Sequence, residues 1–190
     1  MAQTAFGGFV LAGGQSRRMG RDKGLLEWHG VPLASHVARA VADAAGSVTL
    51  IGRPETYGHL GYPVVPDDNP GLGPLGGIAT ALRHSDALWN LVVACDMPAV
   101  TAGFLSSLYA TACASDCDCL LPQRPAGILE PLCAAYHRDS LPAIREALAR
   151  GVRKVTAGLT GLRIHTWPVD DEHWFANVNT PDDWLAVSRR

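Results

Sequence analysis

The 190-residue chain reads as an α/β protein, a three-layer α/β/α sandwich built on a mostly parallel sheet. Short apolar runs alternate along it with longer segments whose apolar residues recur every three or four positions. One run, Leu91–Cys95 (Leu-Val-Val-Ala-Cys), is apolar on both faces, as a central parallel strand must be. No internal repeat, low-complexity stretch or linker divides the sequence, so a single domain over residues 1–190 is expected. At this length roughly 70% of the unfolded surface can be buried, and no disulfide or structural metal is needed.

Phe9–Ala12 is short and apolar, stops at Gly13-Gly14 and reads as a buried first strand. Pro32–Ala45 follows as a helix, with proline in its first turn and Leu33, His36, Val37, Ala40, Val41 and Ala44 on one face. Gly46 stops it. Val48–Ile51 and Val64-Val65 are strands, and Pro74–Arg83 is a helix. Thr101–Cys113 is helical, Cys119–Leu121 a strand, and Leu129–Tyr136 a strand with one edge left unpaired by Pro131. Asp139 is positioned to cap a helix that runs to Arg150 and stops at Gly151. Arg163–Pro168 and Ala176–Val178 are late strands. Thr180-Pro-Asp-Asp183 opens a final helix, with Thr as cap and acids at its positive end. The alternation gives a Rossmann-like sheet, whose ligands bind beyond the carboxyl ends of the strands. Function is therefore sought in the loops after Ala12, Val65 and Cys95.

Lys plus Arg number 16 and Asp plus Glu 18, a net charge of −2, which excludes a broad nucleic-acid surface. No run approaches the ~18 apolar residues of a membrane span. Residues 1–14 lack a basic start and a cleavage site, so no signal peptide is read. Five cysteines, an odd count, suit a reducing compartment, and the cytoplasm is the expected location. Cys113, Cys117 and Cys119 cluster but lack a nearby fourth ligand for zinc.

The charge is unevenly spread. The loop after the first strand, Leu11-Ala-Gly-Gly-Gln-Ser-Arg-Arg-Met-Gly-Arg-Asp-Lys23, holds four cations in seven positions: Arg17, Arg18, Arg21 and Lys23. A solvated basic turn would look the same in composition. Its place directly after a buried strand favours a phosphate site, with glycine backbone N–H groups and guanidinium forks as donors. It is not a Walker A loop. Gly71-Leu-Gly-Pro-Leu-Gly76 has the form G-x-G-x-x-G, but Pro66–Pro70 separates it from its strand. It is better read as a glycine-lined wall than as a dinucleotide fingerprint. Asp96, in Cys95-Asp-Met-Pro98, closes the most apolar strand. A carboxylate there is costly unless paired or bound to a cation, and Mg²⁺ beside a phosphate loop is the natural partner. Asp67 is a second carboxylate at a strand end. Together these parts point to transfer of a phosphorus group. No Ser/His/Asp or Cys/His constellation stands out. None is required if the nucleophile is a phosphate oxygen, already ionised near neutral pH.

With these residues the chain resembles the molybdenum cofactor guanylyltransferases, the MobA family, from about Phe9 to Trp184. The opening motif Leu11–Lys23 is shared with other nucleotidyltransferases. Gly73-Pro-Leu-x-Gly77, Cys95-Asp-Met-Pro98, Glu130-Pro-Leu-Cys133, Gly151-Val-Arg-Lys154 and Asn177-Val-Asn-Thr-Pro181 are more specific. The resemblance implies transfer of GMP from GTP to the terminal phosphate of molybdopterin or molybdenum-molybdopterin. Pyrophosphate leaves, and Mg²⁺ is the cofactor. It implies molybdoenzymes or their chaperones as onward partners, and no nucleic acid or membrane. Residues 1–100 would form the nucleotide-binding half and residues 101–190 the molybdopterin-binding half. By motif position, Leu11, Ala12, Gly13 and Gly14 would hold the nucleotide. Arg18 and Lys23 would neutralise the triphosphate, with Asp67 near the nucleotide and Gly77 facing guanine. Asp96 would bind Mg²⁺, making Arg18, Lys23 and Asp96 the catalytic set. Asn177 and Asn179, at i and i+2 of a strand, would face the pterin together. Some members carry Asn at the end of the second strand; Ile51 stands here and offers only its backbone. Two other readings stay open: a relative using CTP with molybdopterin or a sugar phosphate, and a non-catalytic nucleotide-binding regulator.

Overall fold

The computed structural model describes residues 6–13 and 22–178. The first strand, β1 (Phe6–Leu11), is buried beyond its first residue. Residues 27–32 make a small hairpin, β2 (Glu27–Trp28) against β3 (Val31–Pro32), which the apolar pattern does not announce. Its two-residue tip, His29-Gly30, has φ of +48° and +77°, the primed geometry whose twist suits paired strands.

Helix α1 (Leu33–Ala45) ends at Gly46, which takes the left-handed conformation expected of it (φ +74°). Its buried face runs through Ala34, Val37, Ala38, Val41 and Ala45, while His36, Ala40 and Ala44 are only partly covered. The stripe is thus turned by about one position from the periodicity reading. Alanines on either side of the valines make both stripes similarly apolar.

β4 (Thr49–Ile51), a short helix α2 (Pro54–Tyr57) and β5 (Val64–Val65) follow. Helix α3 (Pro74–Arg83) has the predicted bounds, with Pro74 in its first turn and Gly73 before it at φ +74°. β6 (Trp89–Ala94) is buried along its whole length. Thr101 caps α4 (Ala102–Ala114), its side chain accepting from the Phe104 N–H at 3.3 Å.

The run expected as one strand over Leu129–Tyr136 is two. After β7 (Cys119–Arg124), β8 (Ile128–Leu129) and β9 (Cys133–His137) are separated by Pro131. Proline has no N–H for the ladder, and the Cys133 N–H turns back to the Glu130 carbonyl at 3.2 Å. Asp139 does not cap the next helix. It lies in a 3₁₀ turn, and α5 (Leu141–Ala149) starts later, with Pro142 in its first turn. Gly151 does terminate it, at φ +85°. A short α6 (Val155–Gly158) and the edge strand β10 (Ile164–Pro168) complete the elements.

Residues 176–178 are not a strand. They leave a 3₁₀ turn at Glu172–Phe175 and pass the end of β6, where the Val178 N–H donates to the Asp96 carbonyl at 3.0 Å. The predicted helix start at Thr180–Asp183 lies outside the described residues.

The sheet order is β10-β7-β9-β6-β1-β4-β5, with β8 added beside β7. All neighbours on the main path run parallel except β9, which is antiparallel to both β6 and β7. Alternate residues feed two cores. Val10, Leu50, Leu91 and Val93 pack toward α1 and α4, whereas Phe9, Leu11, Ile51 and Val92 pack toward α3 and α5. Helix α1 contacts α4 and α3 contacts α5, so each face of the sheet carries a helical layer.

β1 lies so near the turn after α1 that a Cβ on Gly8 would stand 2.3 Å from the Ser47 carbonyl oxygen and 2.6 Å from Val41 Cγ1. The nearer atom is backbone and cannot swing aside. Gly8→Ala is expected to cost about 1–3 kcal/mol of stability, read as a lower midpoint in urea. An unchanged midpoint would mean that the strand can shift away from the turn.

Candidate active site

The chain passes from β1 through α1 to β4 and β5, then crosses back through α3 to β6 on the other side of β1. The carboxyl ends of β1 and β6 therefore flank the point where strand order reverses, the crevice in which parallel sheets bind ligands. Sheet hydrogen bonds hold the site's floor. The Ala12 N–H donates to the Ile51 carbonyl at 2.9 Å, and the Cys95 N–H to the Leu11 carbonyl at 3.1 Å. Ile51 thus contributes backbone here, and its side chain is core. Leu11 and Ala12 are buried, while Gly13 is exposed. Among the described residues, a Cβ on Gly13 would have nothing nearer than 3.8 Å, which suits close approach of a ligand to its backbone.

Across this floor Lys23 Nζ lies 3.7 Å from Asp96 Oδ2, with both side chains about one-fifth exposed. Burial pushes the Asp96 carboxyl above the usual carboxylate range, and the Lys23 ammonium opposes that push without cancelling it. The pair therefore contains a carboxylate poorly served by solvent. Lys23 opens a 3₁₀ turn (Lys23–Leu25) capped by Asp22, whose Oδ1 accepts from the Gly24 N–H at 3.1 Å. Arg53, just beyond β4, reaches Asp22 at 3.3 Å. In the sequence Asp22 is one residue of the opening motif, and nothing local marks it or Arg53 as a support of Lys23.

Asp67 has a structural engagement. Its Oδ1 accepts from the Asn69 N–H at 2.9 Å and from the Thr80 hydroxyl at 2.8 Å, fastening the turn after β5 to helix α3. Thr80 is fully buried and sits where the helical pattern marks only a small polar residue. Gly77 is turned toward β1. A Cβ there would meet Leu11 Cδ2 at 3.1 Å, so the glycine lets α3 approach the first strand. Gly76 does the same toward Asn69.

Asn177 is in irregular backbone beside Asp96. It lines a cavity of about 250 Å³ together with Met97, Leu132, Glu130, Lys154 and Thr156. Arg124 holds Glu130 at 3.1 Å on the cavity wall, and burial raises the Glu130 carboxyl above its usual range. Gly14, Arg18 and Asn179 lie outside the described residues, as do Arg17 and Arg21. Among the described residues no group of three or more His, Cys, Asp or Glu is arranged to hold a metal ion. A cation here would, among the described residues, draw on the Asp96 carboxylate, a donor that suits Mg²⁺ completed by substrate phosphates. All five cysteines are unpaired, and no described helix is long and apolar enough to cross a membrane.

Residues 8–164 match the MobA-like NTP transferase domain. The chain belongs to this family. It is a nucleotidyltransferase of the molybdenum cofactor guanylyltransferase group. A probable molybdenum cofactor guanylyltransferase of Synechococcus elongatus is 34% identical over 190 residues, spanning 96% of this chain and 97% of its own. Its counterpart in Deinococcus radiodurans is 35% identical over 95% and 93% of the two chains. Among solved structures, molybdopterin-guanine dinucleotide biosynthesis protein A of Archaeoglobus fulgidus superposes with a TM-score of 0.83 at 28% identity, covering 96% of each chain. A cytidylyltransferase of Thermus thermophilus shares the fold at 17% identity and a TM-score of 0.74.

The raised carboxyl of Asp96 has a consequence for stability. A group whose folded pKa lies above its unfolded value weakens the fold wherever it is ionised, and that penalty fades as pH falls and the group protonates. Asp96→Asn is therefore expected to leave the melting temperature at pH 8 unchanged or raised, with the gap to the wild type narrowing toward pH 4. A fall of several degrees at pH 8 would make Asp96 a structural residue.

Proposed function

We propose that this family member transfers GMP from GTP to the terminal phosphate of molybdopterin or molybdenum-molybdopterin, releasing pyrophosphate. The Lys23–Asp96 pair carries the reading. It stands at the strand-order switch, where Met97, next to Asp96, lines the cavity that contains Asn177 and the Val178 N–H bonds the Asp96 carbonyl. A nucleotide on the β1 side and an anionic acceptor on the Asn177 side would meet over that pair. The donor half is then residues 1–100 and the acceptor half residues 101–190.

The chain's own residues have defined tasks in this scheme. The Ala12-Gly13 backbone lets phosphate approach without a side chain in the way. Lys23, with Arg18 from the same basic segment, neutralises charge that grows on the leaving pyrophosphate. Asp96 would hold Mg²⁺, which supplies charge neutralisation at the triphosphate. Asp67 acts through the turn it fastens to Thr80 of α3, the helix that packs against β1. Gly77 then lets α3 sit close against β1, setting the wall beside which guanine would lie. Asn177, with Asn179 two residues on, offers amides that both donate and accept for the pterin. Lys154 adds a cation beside them for the acceptor phosphate. The attacking phosphate oxygen arrives ionised, so the site needs no general base. Catalysis reduces to alignment and charge stabilisation. Unpaired thiols support a reducing, cytoplasmic setting.

The names of the curated relatives support guanine as the base, and a comparison of nucleotides tests it. GTP with Mg²⁺ is expected to raise the melting temperature more than CTP or ATP at equal concentration. A site held at a hundred times its dissociation constant gains about 2.7 kcal/mol, enough to resolve preferences of tenfold. Equal shifts with all three nucleotides would remove the case for guanine and leave a generic triphosphate site.

A further inference from the structure

Tyr57 ends the short helix α2 and is fully buried, yet its hydroxyl is spent on the candidate site. Its one proton is shared between two acceptors, the Ala12 carbonyl oxygen just beyond β1 and Asp22 Oδ1 in front of Lys23. These two residues flank the glycine- and arginine-rich stretch of the sequence. The ring is held as closely as the hydroxyl. A Cβ on Gly24 or on Gly52 would stand 2.9 Å from ring atoms, so a glycine on each side makes the slot in which the phenol lies. Asp22 is fixed in turn by the Gly24 N–H at 3.1 Å and Arg53 at 3.3 Å. The next residue, Lys23, faces Asp96 at 3.7 Å. The Tyr57 phenol stays protonated well past its ordinary range, because burial and the neighbouring Asp22 carboxylate both oppose its ionisation. It remains a donor at any working pH.

We propose that Tyr57 is a positioning residue of the triphosphate site: its hydroxyl ties Ala12 to Asp22 and so sets Lys23 opposite Asp96. The proposal rests on the guanylyl-transfer reading, since it treats Lys23 and Asp96 as the groups that must be aligned. A buried tyrosine that merely filled space would need a ring and not two oxygen partners. One that merely stapled α2 would have no reason to reach both ends of the basic segment. A misplacement of about 1 Å at a charged site can cost on the order of a hundredfold in rate. A single buried hydroxyl behind the site can therefore govern donor binding through the residues it holds.

Tyr57→Phe keeps the ring in its slot and removes only the tie. With Mg²⁺ present and the acceptor saturating, KM for GTP is expected to rise about tenfold and kcat/KM to fall tenfold to a hundredfold, as for loss of one charge-linked hydrogen bond. KM for the acceptor should stay within twofold, and circular dichroism should show an unchanged fold. A structural role alone would lower the active fraction, and with it kcat, while leaving KM for GTP where it was; that result overturns the proposal. Asp22→Ala removes the other end of the tie, should give the same signature, and carries the test by itself if Tyr57→Phe does not fold. In the double variant the losses should not add, because both substitutions break one connection. Additive losses also overturn it. Absence of turnover with GTP in the wild type strikes the guanylyl-transfer reading and takes this proposal with it. Normal wild-type turnover beside an unaltered Tyr57→Phe strikes this proposal only.

Discussion

A carboxylate at the end of a strand with no exposed face is the constraint around which this molecule is arranged. β6 lies near the middle of the sheet, buried along its length, and Asp96 stands one residue beyond it, after Cys95. Burial alone would favour the neutral acid. Lys23 keeps a positive charge within 3.7 Å, but the chain must hold that lysine in place from the far side of β1. The Asp22 cap, Arg53 and the Tyr57 hydroxyl converge on the residue just before Lys23. The contacts of Asp22, Arg53 and Tyr57 thus serve to set one lysine opposite the charge that lies beyond β6.

The sheet topology turns this local arrangement into a crevice with two sides. The reversal between β1 and β6 opens space beyond their carboxyl ends. On one side α3 comes close to β1 because Gly77 has no side chain to hold it off, and Gly76 admits the turn at Asn69 in the same way. On the other, β9 runs antiparallel, which sends residues 130–132 to the same end of the sheet as Asp96. There they help form the cavity with Asn177 and Lys154. The antiparallel strand therefore positions the second half of the site.

Legibility followed the range of the interactions. Helix α3 could be bounded to the residue because Gly73 and Pro74 are local signals that act on their own backbone. Gly46 and Gly151 were equally direct, each taking the positive φ that stops a helix. The apolar strands were visible from their residue types, and Asp96 stood out as the single charge closing the most apolar of them. Where two local signals competed, the reading failed. Pro131 splits a run that looked like one strand, and Pro142 rather than Asp139 sets the start of α5. Residues 176–178 alternate like a strand but bind the end of β6 instead of joining the sheet. Tyr57 could not be read at all, since its partners lie 45 and 35 positions away and only the fold brings them together. Asp67 was correctly placed at a strand end, but its bond to Thr80 is likewise a product of tertiary packing.

The central claim is that Lys23 and Asp96 align a donor triphosphate with an acceptor phosphate. Incubation of the protein with GTP labelled at its α-phosphate, Mg²⁺ and molybdenum-molybdopterin tests it most directly. The expected result is label in a guanine dinucleotide product, with one pyrophosphate released for each product formed. Asp96→Asn, still folded, should form that product at least about a hundredfold more slowly, as for loss of one electrostatic contact at a reacting phosphate. Label transfer by Asp96→Asn at close to the wild-type rate would contradict the account.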